Sequence, residues 1–339
     1  MKKFLQKLLK PLLTRLASNA SAPVKKDVHQ SLSKLLRNLK ERPGKRGINL
    51  NVDFTIDKFI IFSDHHKGNK DHGDDFANNE SNYLAALDHY LQNKFTYINL
   101  GDSEELWKYT PEQVISKNIT SLRAEAKFQE QGKYHRTFGN HDITWKNKLD
   151  VDIWFKDIFT LPLPVWEGIL LKTKINDYPL SIYLTHGHQG DKLSDNNILS
   201  TWLVAHVWRP VQRYLKINVN TPAKDYRLRD RHNIVMHDWS SHRENLLLIT
   251  GHTHKPVFAS GKYSDHENNK IDKAVKDEKK IKLKPCYFNS GCCCYNDGDI
   301  TGIEISGDKI SLVKWHLENN KSIRMILEEV SLQQIVADL

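Results

Sequence analysis

Five short stretches carry the residue types that do chemistry: Ser63-Asp64-His65-His66, Gly101-Asp102, Gly139-Asn140-His141-Asp142, His186-Gly187-His188 and Gly251-His252-Thr253-His254. Together they supply imidazoles, carboxylates and an amide oxygen. That mixed nitrogen and oxygen set suits Mn²⁺, Fe or Zn²⁺ better than soft Cu(I) or bare Mg²⁺. Singly each stretch is weak, because a Gly-Asp is most often a turn and a lone histidine is more often structural than ligating. Their order and their common setting carry the weight.

Each stretch follows an apolar run of strand character, at residues 59–62, 95–100, 134–138, 181–185 and 246–250. From about residue 53 such runs alternate with polar helical stretches, which predicts an α/β or mixed α+β fold. In open α/β sheets, sites gather outside the carboxyl ends of strands, so the five loops are expected to converge. Residues 300–315 alternate around Gly307-Asp308 and predict a hairpin. The chain end, 325–339, reads as a strand or a short helix.

This ordered set resembles the calcineurin-like metallophosphoesterase superfamily. Phe288-Asn289-Ser290-Gly291 is similar to the family's closing strand and Asn-x-Gly turn, so the resemblance covers about residues 53–316. It implies a four-layer α/β/β/α sandwich with a two-metal site at its edge. Asp64, His66 and His254 would bind one metal, Asn140, His186 and His252 the other, and Asp102 would bridge them. The implied cofactors are two divalent ions, Mn²⁺ first, with Fe or Zn²⁺ as alternatives. His65 would be a neighbour only, and His188 could exchange roles with His186.

Two such ions, about 3.5–4 Å apart, clamp a phosphate and lower the pKa of a bridging water. The bridging carboxylate offsets their charge, and neutral imidazoles fill the remaining positions. The expected reaction is attack of the activated hydroxide on phosphorus, in line with the leaving group. His141 is family-like as a leaving-group acid or phosphate-oxygen donor, with an ordinary pKa near neutrality. Asp142 either orients His141 or caps the helix that follows.

Within the superfamily, Gly101-Asp102-Ser103-Glu104-Glu105-Leu106-Trp107 is similar to the Gly-Asp-x-x-Glu-x-Trp stretch of UDP-diacylglucosamine diphosphatases. A second pointer is the long interval between His186 and Gly251, read as a helical insertion over about 190–245. It contains Trp202, Trp208 and Trp239 and is rich in Arg and Lys, with Arg209 and Arg213 as candidate substrate contacts. A basic, Trp-bearing cap suits an anionic substrate with an apolar part, such as a nucleotide-lipid. The alternative is a helical subdomain whose tryptophans are core. One departure stands out: those diphosphatases usually read Gly-Asn-Arg-Asp where this chain has Gly-Asn-His-Asp. A histidine there is typical of general phosphomonoesterases and phosphodiesterases acting on nucleotides or phosphoproteins, the second expectation. A metal-free scaffold of the same fold is the third.

The 339 residues carry 50 Lys+Arg and 41 Asp+Glu, a formal charge of +9. Residues 1–46 alone carry +11, so 47–339 total −2. A near-neutral body argues against a nucleic-acid face. The first 46 residues read as a basic amphipathic arm, with apolar positions at Phe4, Leu5, Leu8, Leu9, Leu12, Leu13 and Leu16. A second apolar set falls at Val28, Leu32, Leu35, Leu36 and Leu39. Three readings stay open: a helix lying on an anionic membrane through residues 1–40, a helix packed on the body, or a cleaved transit peptide. No apolar run reaches the roughly 20 residues that span a bilayer. Four cysteines, three of them consecutive, make no disulfide framework. A cytoplasmic setting, peripheral to the inner face of the membrane, is the expected location. Residues 261–284 read as an exposed polar loop, and Cys286 and Cys292–Cys294 as small-residue packing.

Overall fold

The computed structural model describes residues 23–190, 226–259 and 284–339. In chain order the elements are α1 (Lys25–Glu41), β1 (Gly47–Asn51), β2 (Phe59–Phe62), α2 (Glu80–Gln92), β3 (Thr96–Leu100), α3 (Pro111–Lys117) and α4 (Ile119–Glu130). Then follow β4 (Tyr134–Thr137), a 3-10 turn (Ile143–Lys146), α5 (Lys148–Phe155), β5 (Val165–Trp166), β6 (Gly168–Ile175), β7 (Tyr178–Thr185) and α6 (Tyr226–Ser241). The chain closes with β8 (Leu246–Thr250), β9 (Tyr287–Asn289), β10 (Ile300–Ser306), β11 (Lys309–Glu318), β12 (Lys321–Ser331) and α7 (Leu332–Asp338). Among the described residues no helix is long and apolar enough to cross a membrane.

Two mixed sheets result. One has the order β1-β6-β7-β8-β9, the other β12-β11-β10-β2-β3-β4-β5. Strands β2, β3, β4 and β5 run parallel in the larger sheet, as do β7, β8 and β9 in the smaller. Parallel strands covered on both faces read as continuous apolar runs, and β2 and β8 are buried at every position.

The sheets pack face to face. Ile61, Ile98 and Ile303 from the larger sheet meet Leu171, Ile182, Leu184 and Ile249 from the smaller. On the outer face of the larger sheet, Ile60, Phe62 and Tyr97 pack under Tyr83, Tyr90, Leu122 and Phe128 of α2 and α4. On the outer face of the smaller sheet, Leu170, Tyr183 and Leu248 pack under α1 and α6. This is the four-layer α/β/β/α order.

The helix α1 corrects the boundary expected at residue 46. Its apolar stripe, Val28, Leu32, Leu35, Leu36 and Leu39, is buried against the smaller sheet and α6. Residues 25–41 therefore belong to the body, and their apolar face is not available to a bilayer. The earlier apolar set, Phe4 to Leu16, lies outside the described residues. So do Trp202, Trp208, Arg209, Arg213 and nearly all of 261–284. Trp239, expected in the insertion, is a core residue whose ring meets Tyr183 at 5.8 Å. The chain end is both a strand and a helix, β12 and α7, with Ser331 capping the latter through Gln334 N.

Candidate metal centre

The five loops converge because each leaves the carboxyl end of a parallel strand at the same edge of the sandwich. β2, β3 and β4 deliver Asp64, His66, Asp102 and Asn140, while β7 and β8 deliver His186, His252 and His254. Backbone hydrogen bonds tie the loops together. Asp64 N donates to Gly101 O at 3.0 Å, His66 N to Asp102 O at 3.0 Å and Gly251 N to His186 O at 2.9 Å. Asp64, His66, Asp102, His252 and His254 all have φ between 50° and 69°. Non-glycine residues rarely adopt that left-handed region, and it gathers at functional sites.

Each carboxylate has one oxygen engaged by the backbone and the other turned to the imidazoles. Asp64 Oδ2 accepts from His252 N at 2.8 Å, and Asp102 Oδ1 from His141 N at 2.7 Å. Asp64 Oδ1 then lies 3.2 Å from His254 Nε2, and Asp102 Oδ2 lies 3.2 Å from His186 Nε2. His66 Nε2 is 3.0 Å from His254 Nε2 and 3.8 Å from Asp102 Oδ2. His186 Nδ1 donates to the Leu100 carbonyl at 2.9 Å, which fixes the ring with Nε2 turned to Asp102.

The donor atoms fit a metal pair. Asp64, His66 and Asp102 offer ligand atoms within 4.8 Å of one another, as do Asp102, His186 and His252, so Asp102 is common to both groups. Asp64 Oδ1, Asn140 Oδ1 and His186 Nε2 are buried without a hydrogen bond in the described structure. Such atoms are costly unless something binds them. Burial opposes ionisation of Asp64, yet the His254 and His186 imidazoles bring it down to about 2. Burial likewise opposes Asp102, and His186 and His141 hold it well below the usual carboxylate range. His188 belongs to neither group: its ring sits 5.5 Å from His186 and 6.1 Å from Phe138. His65 turns into the core, with Nε2 at 3.2 Å from Tyr97 OH.

His141 is held by residues that sequence reasoning had not assigned to it. Its Nδ1 lies 3.0 Å from Glu105 Oε1, and its ring stacks on Trp107 at 3.9 Å and 18°. Trp107 Nε1 in turn donates to Asn140 O at 2.9 Å. Burial lowers the His141 pKa, but the Glu105 and Asp102 carboxylates more than offset it and leave the group above its ordinary value. The signal in the sequence was the placement of Glu105 three residues after Asp102, read only as part of the resemblance.

Asp142 does neither of the two things expected of it. Its carboxylate accepts from Gly139 N at 2.6 Å and Ser103 N at 2.8 Å, which joins the second and third loops. It makes no capping bond to the 3-10 turn. Behind it lies a fully buried ion network: Lys67 bonds Glu125 at 2.6 Å, Arg136 bonds Glu104, and Arg136 lies 3.6 Å from Asp142. Burial and the Asp102 and Glu104 charges push Asp142 up to about 6.

Two further residues wall the centre. His232 of α6 brings its ring 5.2 Å from His252. Cys294 Sγ lies 3.5 Å from His254 Nδ1, so one member of the cysteine run touches a candidate ligand as well as packing.

A calcineurin-like phosphoesterase family model matches residues 57–256, the span that holds all seven candidate ligands. No curated protein sequence matches the chain. Among solved structures, vacuolar protein sorting 29 from Cryptosporidium parvum is similar at 14% identity and a TM-score of 0.36, covering 82% of this chain and all of that one. A mutant of Vps29 from Entamoeba histolytica is similar at 12% identity and a TM-score of 0.30, covering 80% of this chain and 99% of that one. With the family match spanning more than half of its length, the chain belongs to the calcineurin-like phosphoesterase family.

Proposed function

We propose that the chain is a metal-dependent hydrolase of phosphoester or phosphoanhydride bonds. The observation that carries this reading is the pair of donor groups sharing Asp102, with buried lone-pair atoms on Asp64, Asn140 and His186. When bound, two divalent ions supply Lewis-acid charge to the phosphoryl group and to a water. Asp64, His66 and His254 would hold one ion, Asn140, His186 and His252 the other, with Asp102 between them. Manganese is the first expectation. Asp64 and Asp102 bring negative charge that offsets the ions, and the backbone bonds to their second oxygens keep them aimed.

His141 is the proton donor of this reading. Glu105 accepts its Nδ1–H, which leaves Nε2 to carry the proton that the departing oxygen needs. The stacked Trp107 keeps the ring from rotating. Asp142 holds together the loops that present Asp102 and Asn140.

For the substrate, we favour a phosphorylated molecule with an apolar part, a nucleotide-lipid such as UDP-diacylglucosamine. The Gly-Asp-x-x-Glu-x-Trp stretch supports it at the level of sequence. The basic, Trp-bearing composition of the insertion, with Arg209 and Arg213 as contacts, supports it at the level of sequence. Such a substrate would place the chain at the cytoplasmic face of a membrane. A general phosphodiesterase or phosphomonoesterase is the second reading, favoured by His141 standing where an arginine would mark the lipid enzymes.

The test is Mn²⁺-dependent hydrolysis of bis-p-nitrophenyl phosphate, p-nitrophenyl phosphate and UDP-diacylglucosamine, with Asn140→Ala as control. Turnover lost in the variant supports the assignment. Near-normal turnover in metal-replete Asn140→Ala, or no turnover of any phosphoester by the metal-loaded protein, overturns it.

A further inference from the structure

A cavity of about 670 Å³ lies between α1, the turn that follows it and the 3-10 turn after Asp142, and the reaction gives it no role. Lys34 and Arg37 of α1, Arg42 and Lys45 of the turn, Arg46 and Lys146 bring six cations to its wall. Two acids face them. One is Glu41; the other, Glu167, is already taken by Arg46, whose Nε reaches it at 2.7 Å. The exposed side chains of Lys34, Arg37, Arg42 and Lys45 form no hydrogen bond or ion pair with any described residue. Four cations with no partner among the described residues thus line one concave space that also holds Glu41, on a protein whose residues 47–339 carry −2.

The cavity also has a fixed place beside the metal centre. Glu167 O accepts from Thr185 Oγ1 at 2.9 Å, and Thr185 immediately precedes His186. Lys146 ends the 3-10 turn that starts right after Asp142. At the other end of α1, Gly190 lies so close to Val28 that an added Cβ would come within 2.5 Å of its Cα. The helix is wedged against the loop that carries His186.

We infer that this cavity binds an anion bearing several phosphate groups, at a site separate from the metal centre and adjoining it. Arginine forks and lysine ammonium groups are the donors that match phosphate oxygens. Their number exceeds what a single carboxylate would neutralise, and the volume falls within the range of small-molecule sites. The same chemistry is presented by a free polyphosphate and by clustered lipid headgroups. The inference goes beyond the proposed reaction and does not rest on it.

The experiment uses the full, metal-loaded chain and two probes. Inorganic tripolyphosphate is titrated calorimetrically, and vesicles of phosphatidylcholine with or without phosphatidylglycerol are co-sedimented. The variant is Arg37→Glu/Arg42→Glu/Lys45→Glu, with the milder Arg37→Gln/Arg42→Gln/Lys45→Gln beside it should the reversal disturb folding. Residues 1–22 are unchanged in both, so their basic charge is held constant. Asn140→Ala controls for phosphate taken up by the metal centre. The expected result is a loss of affinity of about tenfold or more in the cavity variants, with binding retained by Asn140→Ala. Loss on tripolyphosphate identifies a soluble ligand, and loss on anionic vesicles alone identifies headgroups. Cavity variants that bind both probes like the parent, or binding lost only in Asn140→Ala, would overturn the inference.

Discussion

Replacing Glu105 by glutamine removes a charge while keeping the side chain's volume. Glu105 is 2% exposed, and its two oxygens lie 3.0 and 3.1 Å from His141 Nδ1. A hydrogen bond to a charged partner contributes about 1.5–3 kcal/mol. At about 1.4 kcal/mol per tenfold, Glu105→Gln should lower kcat by roughly 10- to 150-fold. The loss belongs in kcat because the bond serves a group that acts in the chemical step and not in docking. The assay is steady-state hydrolysis of bis-p-nitrophenyl phosphate at saturating Mn²⁺, with bound metal measured on each protein. Four proteins are compared: parent, Glu105→Gln, His141→Ala and the double variant. If Glu105 acts through His141, the double variant is no slower than His141→Ala alone. An unchanged kcat in Glu105→Gln, or a double variant whose loss is the product of the two single losses at full metal occupancy, would refute the reasoning.

Other expectations follow from the same geometry. A Cβ on Gly139 would fall 2.2 Å from Asp102 Oδ1, so Gly139→Ala should displace the shared carboxylate and lower bound metal, read by elemental analysis of a protein whose circular dichroism is unchanged. Lys67→Met leaves Glu125 buried without its nearest cation, and should cost about 3–5 kcal/mol in urea unfolding. Leu35 is 0% exposed on α1, so Leu35→Ala should cost about 2–5 kcal/mol, whereas in a detachable arm the cost would be near zero. Chelation should lower the unfolding midpoint, and Mn²⁺ at a concentration 100 times its dissociation constant should restore about 2.7 kcal/mol of stability. A midpoint indifferent to metal would argue against the centre.

Much of this fold was legible because its central strands are covered on both faces. β2 and β8 read as unbroken apolar runs, and the residue after each strand announced a loop with chemistry in it. The end of β7 at Thr185 also separates the two histidines: His186 is the first residue past the strand and meets Asp102, while His188 turns toward Phe138. The stripe on α1 was equally visible, but amphipathicity is the same whether the apolar side meets lipid or a sheet. Only the apolar outer face of the smaller sheet, which α1 covers, decides between them. Asp142 was misread for a related reason. Its partners, Gly139 N and Ser103 N, include one on a loop 39 residues away, and local patterns carry no record of such a contact. Glu105 suffered the converse problem: its spacing was noted, but nothing in the chain said that His141 would be placed against it.

The candidate ligands ride on two different sheets, three of the loops on one and two on the other. The gap between the two halves of the centre is therefore set by the thickness of the apolar layer between the sheets, where Ile98, Ile182 and Ile249 meet. A methylene gained or lost there, far from any phosphate, changes how well both ions can be gripped at once. The interior works as a gauge block for the reaction, and catalytic output should register small errors of packing that a melting curve would pass over.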